Sequence, residues 1–171
     1  EGLLLLATSG DLARHLELPA TGWLRRYRVR GWGNIDQAKL DTLKDGIEVE
    51  GVRYGPIEAT FDKQQGENVW ITIGLREGKN REVRKIMAHL GVEVNRLIRI
   101  SFGPFQLLDL KPGEADHVRR KVLIEQLGPK LAKDLGIVEE DEESAGSRAS
   151  KTTSATRRFE RRKAAREHGD E

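Results

Sequence analysis

Val69, Ile71, Ile73 and Leu75 fall on every second position of one short stretch. A chain with such a stretch has to build a sheet with one buried face. A little further on the period changes. Val83, Ile86, Met87 and Leu90 follow i, i+3, i+4, i+7 spacing, which predicts a helix with one apolar stripe. The remaining patterns fit the same scheme. Residues 26–30 alternate, with Tyr27 and Val29 facing opposite to Arg26, Arg28 and Arg30. Residues 47–52, 57–61 and 92–100 read as strands, broken by Gly51 and the Gly55-Pro56 turn. Helices are expected over 11–16, over 36–44 with Asp45-Gly46 as the stop, and over 118–127 before Gly128-Pro129. The leucine run 3–6 is apolar on every side and reads as a buried central strand. Strands and helices do not alternate regularly. The expectation is therefore α+β, with a mostly antiparallel sheet and flanking helices.

Charge divides the chain. The 171 residues carry 30 Lys and Arg against 28 Asp and Glu, a net charge of only +2. That balance hides segregation. An acidic block at 139–143 is followed by a small polar stretch and then by a basic segment, 148–166. With little apolar area to offset its ordering entropy, this segment is expected to be disordered. The reading is a domain over 1–135 and a charged tail over 136–171. The tail is either a solubilising extension or a nonspecific RNA-binding arm.

Several chemistries are excluded. The chain has no cysteine, so disulfides, thiolate metal sites and a cysteine nucleophile are out. The four histidines lack metal-ligand spacing, and there is no Walker-type phosphate loop or nucleophile elbow. The longest apolar run, 3–7, is far short of a membrane span, and no signal peptide is visible. Met87 is the only methionine. Together with the leucine run so near the start, this leads to the expectation that sequence precedes Glu1.

One segment concentrates chemistry: Glu77-Gly78-Lys79-Asn80-Arg81-Glu82-Val83-Arg84-Lys85. Asn80 is read as the helix N-cap and Gly91 as its C′ residue. Arg81, Arg84 and Lys85 make a basic stripe beside the apolar one. This is either a solvated face or an anion site aided by the helix entrance. Arg96 and Arg99, three apart on a strand, point to opposite faces. Tyr27 is either a core tyrosine or a ring that stacks on a nucleobase. Trp23, Trp32 and Trp70 could also stack on bases, and each is read first as structural.

Taken in order, these pieces resemble a known family. Gly2-Leu3-Leu4-Leu5-Leu6, Gly10-Asp11-Leu12-Ala13, Arg25-Arg26-Tyr27-Arg28-Val29, the Glu77–Lys85 stretch, Leu97-Ile98-Arg99, Gly103-Pro104 and Pro112-Gly113-Glu114 look like the RsuA/RluB family of ribosomal RNA pseudouridine synthases. The match covers about residues 1–115 and leans to the large-subunit branch. The resemblance implies a pseudouridine-synthase-like fold and conversion of a uridine to pseudouridine in ribosomal RNA, without cofactor or metal. It implies a cytoplasmic monomer that meets no membrane. The family's nucleophilic aspartate would lie four residues before Glu1, and its S4-like RNA-binding domain is missing. Tyr27 then matches the tyrosine that stacks on the target base, and Arg84 the basic partner of the aspartate. Val83 matches the apolar neighbour at the base pocket. Lys79, Asn80, Arg81 and Arg99 match RNA-binding positions. Ala7-Thr8-Ser9-Gly10 departs from the usual Thr-Asn-Asp-Gly, and Arg25 stands where the family usually has lysine. The rival expectations are an inactive RNA-binding fragment and a domain whose basic helix is merely solvated.

Overall fold

The alternation at Val69–Leu75 becomes strand β5 (Asn68–Leu75), and all four of its periodic residues are buried. Residues 1–137 are described by a computed structural model of the chain. The tail expected over 136–171 lies outside these residues except for Gly136 and Ile137. Elements follow in the order α1 (Gly10–Glu17), β1 (Arg25–Trp32), α2 (Gln37–Asp41), β2 (Ile47–Val49), β3 (Val52–Tyr54), β4 (Ile57–Gln65), β5, α3 (Glu82–His89), β6 (Glu93–Phe102), β7 (Phe105–Gln106), α4 (Arg120–Leu127) and α5 (Pro129–Asp134). The chain divides into one unit over Glu1–Asp116 and a second from His117 onward.

In the first unit the sheet order is β4-β5-β1-β6-β7, and every pairing between neighbours is antiparallel. The α+β expectation holds. β1 lies in the middle, paired along its whole length with β5 on one side and β6 on the other. One sheet face carries Val29, Ile71, Ile73 and Ala59. It forms a single core with Ile86 and Met87 of α3 and with Leu40, Leu43 and Tyr54. The edge strand β4 is partly covered. The Gln37 side-chain amide donates to Ala59 O (2.9 Å) and accepts from Phe61 N–H (2.8 Å). This takes up backbone groups that an open edge would leave for another chain.

Three expectations are corrected. The leucine run is not a central strand. Leu3 N–H donates to Arg99 O and Arg99 N–H to Glu1 O, a short parallel pairing beside β6. Leu3 is buried, but Leu4 and Leu6 are 71% and 84% exposed. β7 pairs with β6 at Ser101 and Phe102, so the segment has no strand beside it past Leu3. Gly2 permits the approach, since it has φ 98° and a Cβ there would collide with Arg99's carbonyl. Second, 47–52 is a hairpin, β2–β3. Its turn residues Glu50 and Gly51 both have positive φ, as a tight two-residue turn requires. Third, the helix expected over 36–44 stops at Asp41 and tightens to a 3₁₀ turn over Thr42–Asp45. Asp36 caps it through Lys39 N–H, 2.8 Å. In the second unit, α4 and α5 meet at Gly128, φ 83°.

The entrance of α3 differs as well. Asn80 is not the cap. Arg81 holds that place in the left-handed region, φ 53°, without a side-chain capping bond. One turn earlier, the Glu82 carboxylate accepts from Lys79 N–H (3.0 Å), and Glu82 N–H donates to Lys79 O (3.3 Å). This is the glutamate half of a capping box. Glu82 is buried, and its second oxygen, Oε1, has no partner. Burial pushes its carboxyl pKa up.

Met87 is completely enclosed between α3 and the sheet. Met87→Ala is expected to cost about 3 kcal/mol, the usual penalty of a core cavity, read as a lower urea midpoint at unchanged slope. Glu82 generates a pH prediction. Its folded pKa lies above the unfolded value of 4.5, so the native state binds the proton more tightly. Its burial costs nothing below that value, and the cost grows as pH rises through the folded pKa. Glu82→Gln therefore gains stability relative to the wild type on going from acid to neutral pH. Urea melts that stay parallel across that range refute the assignment.

Candidate functional site

The pleat decides which side chains meet. Tyr27 is directly opposite Ile73 on β5 and Arg99 on β6, and residues paired in this way share a face. Tyr27 is half-buried against the core edge. Arg99 is on its side of the sheet, with its Nε donating to Leu3 O (2.8 Å) and its guanidinium 5.3 Å from the Phe102 ring. Arg96 pairs with Arg30 and faces the other way. Tyr27, Arg99 and the Glu1–Leu3 segment thus come together.

Arg84 is placed elsewhere. Its guanidinium donates to Val94 O at 2.6 Å. Val94 is opposite Gly31, four residues from Tyr27 along β1, which is about 13 Å of strand. Arg84 and Tyr27 are therefore not in contact, and the two lie at different points along one strand pair. Val83, next to Arg84, is buried in the core.

The loop before α3 is tied down twice. The Lys79 ammonium binds the Glu77 carboxylate, donates to Arg53 O (2.7 Å) and sits 5.4 Å from the Tyr54 ring. Glu77 also accepts from Gly55 N–H. Burial pushes the Glu77 carboxyl up, but the Lys79 ammonium and this N–H outweigh it and hold the pKa below its ordinary value. Lys79 is thus engaged with the β3 side of the loop, while Asn80 and Arg81 are exposed.

The second tie is a residue to which the sequence reading gave no role. Arg25 is only 7% exposed. Its guanidinium donates to Glu77 O at 2.5 Å and to Glu17 O at 3.5 Å, and stacks 5.0 Å from the Phe102 ring. Gly78 lies against it, where a Cβ would come within 2.8 Å of Nη1. A buried guanidinium needs such partners to offset its lost hydration. Arg25 therefore joins the end of α1, the middle strand and the loop that leads into α3. The signal was present in the sequence. Arg25 has the same parity on β1 as Tyr27 and Val29, so the alternation itself points it inward.

This arrangement can receive a planar ring against Tyr27, with cationic Arg99 across the strand for an anion. Comparison with known proteins gives it a context. No protein-family model matches the chain. An uncharacterized RNA pseudouridine synthase of Rickettsia conorii is 44% identical over 123 residues, which is 72% of this chain and 53% of that protein. Ribosomal large subunit pseudouridine synthase B of Escherichia coli O157:H7 is 41% identical over 106 residues, 62% of this chain and 37% of that protein. The chain spans about half the length of the Rickettsia relatives it matches. In fold, it is similar to a crystal structure of a pseudouridylate synthase, with TM-score 0.58 at 22% identity, covering 70% of this chain and 51% of that one. The resemblance read from the residues is thus met in sequence and in fold: the chain is similar to RNA pseudouridine synthases over most of its described residues.

Proposed function

We propose that the protein converts a uridine of ribosomal RNA, of the large subunit, to pseudouridine. The observation that carries this is the 44% identity to an RNA pseudouridine synthase over most of the described residues. The reaction is an isomerisation. The N1–C1′ bond breaks, the uracil turns, and C5 bonds to C1′. The C5 proton leaves to solvent and N1 gains one, so no cofactor, oxidant or metal is required. The target base is flipped out of the RNA and stacked on Tyr27. Arg99, across the strand from Tyr27, meets a flanking phosphate, as do Asn80 and Arg81. Lys79 contributes through the loop it fixes, and Val83 backs the pocket from the core.

The nucleophile is the family's aspartate, four residues upstream of Glu1. Its partner is Arg84, whose guanidinium is held on Val94 O at 2.6 Å and would keep the carboxylate ionised and nucleophilic. Arg84 and Tyr27 then bracket the nucleotide, one at the sugar and one at the base. The 171-residue chain by itself is an RNA-binding segment without its nucleophile.

The test is tritium release from C5-labelled uridine in a ribosomal RNA fragment. The protein extended upstream through the aspartate is expected to release label, and the 171-residue chain is not. Arg84→Ala in the extended protein lowers kcat about 100-fold with little change in KM and a small loss of thermal stability. Turnover by the 171-residue chain refutes the upstream nucleophile. Wild-type kcat in the Arg84 variant refutes the role of Arg84.

A further inference from the structure

The face of the sheet turned away from Tyr27 has its own pattern. Lys63 on β4, Trp70 on β5, Arg30 on β1 and Arg96 on β6 are directly opposite one another in sequence across four strands. They form one row about 14 Å long at the usual strand spacing. Arg28, one row over on the same face, lies 4.9 Å from the Trp70 ring centre, and Arg30 lies 6.0 Å from it. The indole thus holds two guanidinium groups side by side at the surface. Arg30 and Arg96 are cross-strand neighbours of like charge, an arrangement that costs stability in a sheet and that an anion bridging the two would relieve.

Acidic groups also line this face: Glu58 opposite Gly74 and Glu93 opposite Trp32, besides Asp62, Glu1 and Glu67. Asp62 approaches Arg28 at 4.0 Å and Glu1 pairs with Arg96 at 2.9 Å. Both are exposed pairs that contribute little to stability and give way easily to a phosphate. Lys63 and Arg30 have no carboxylate partner among the described residues. Two positions along β1 from Arg30, on the same face, Trp32 is 54% exposed. Its Nε1–H donates to Glu67 at 2.8 Å, which fixes the ring, and a shallow hollow lined by Gly33, Asn34 and Gln64 opens beside it.

We propose that this solvent face is a second RNA-contact surface, distinct from the Tyr27 side. Single-stranded RNA lies along the Lys63–Arg30–Arg96 row through its phosphates and stacks a base on Trp32. A row of about 14 Å accommodates several stacked nucleotides at roughly 3.4 Å each. Cations interleaved with an open aromatic ring on a sheet surface are what a nucleic acid strand requires. An acidic protein segment would use the cations and leave Trp32 without a role. The inference rests on the reading of the chain as RNA-binding.

The experiment measures fluorescence anisotropy of a short single-stranded RNA with the whole 171-residue chain, between about 50 and 200 mM salt. The triple variant Lys63→Ala, Arg30→Ala, Arg96→Ala is expected to reduce the slope of log affinity against log salt by about 2, for three lost phosphate contacts. Trp32→Ala is expected to weaken binding about tenfold at unchanged slope. Arg30→Lys with Arg96→Lys retains the slope and controls for folding. Arg81→Ala, on the α3 entrance, reports on the other surface. A wild-type slope in the triple variant, with Arg81→Ala still lowering it, overturns this surface and leaves the RNA-binding reading standing. No salt-dependent binding by the wild type overturns both. A triple variant that loses polyglutamate binding and keeps RNA binding assigns the face to an acidic protein partner and also overturns the proposal.

Discussion

The structure depends on β1 serving two faces at once. It is paired along all eight of its residues with β5 and β6, so no part of it is free to shift. Its alternate residues must then answer to opposite environments. On one side Val29 is sealed into the core and Tyr27 stands at the core's edge. On the other, Arg26, Arg28 and Arg30 face solvent. A slip by one residue would bury three guanidinium groups and expose Val29, which fixes the register firmly. Everything that positions Tyr27 against Arg99 follows from that register.

Two buried charges extend the same order to the loops. Arg25 belongs to the inward set of β1, yet it is polar, and its three contacts each come from a different element: the end of α1, the loop at Glu77 and β6 at Phe102. Glu82 plays the matching part at the α3 entrance, where its carboxylate takes the Lys79 N–H. Each group loses hydration and regains fixed backbone partners. Their common effect is to hold the segment between β5 and α3, which contains Lys79, Asn80 and Arg81, in one place relative to the sheet.

Much of this was legible in the sequence, and the failures have physical causes. The period-2 and period-3.6 stretches at 69–75 and 83–90 came out as expected because burial on one face leaves a pattern that few alternatives share. The parity of Tyr27 and of Arg96 against Arg99 was legible for the same reason. The leucine run was not. Four apolar residues in a row look alike whether they end up central or at an edge. What decided the matter was the course of β7 beside β6, a nonlocal fact. The Asn80 cap failed because local preference was overruled by Glu82, which anchors the turn one step earlier. Arg84's place beside Val94 depends on how far a long side chain reaches across a helix–strand contact, and sequence spacing has no measure of that.

The arginines of β1 and β6 show why a residue count says little about electrostatics in a sheet. Tyr27 faces Arg99, and Arg30 faces Arg96, within the same two strands and only three residues apart. The pleat sends one pair to the side that carries α3 and the core, and the other to open solvent. On the inner side Arg99 gives its Nε–H to the carbonyl of Leu3, which fixes the segment that runs beside β6, and it rests 5.3 Å from the Phe102 ring. On the outer side Arg28 and Arg30 rest on Trp70, and the carboxylates that approach this face are exposed and weakly bound. A guanidinium that spends one donor on a backbone carbonyl shapes the fold and keeps its others for a ligand, as one held by a ring face keeps its own. The small net charge of +2 therefore describes neither side of the sheet.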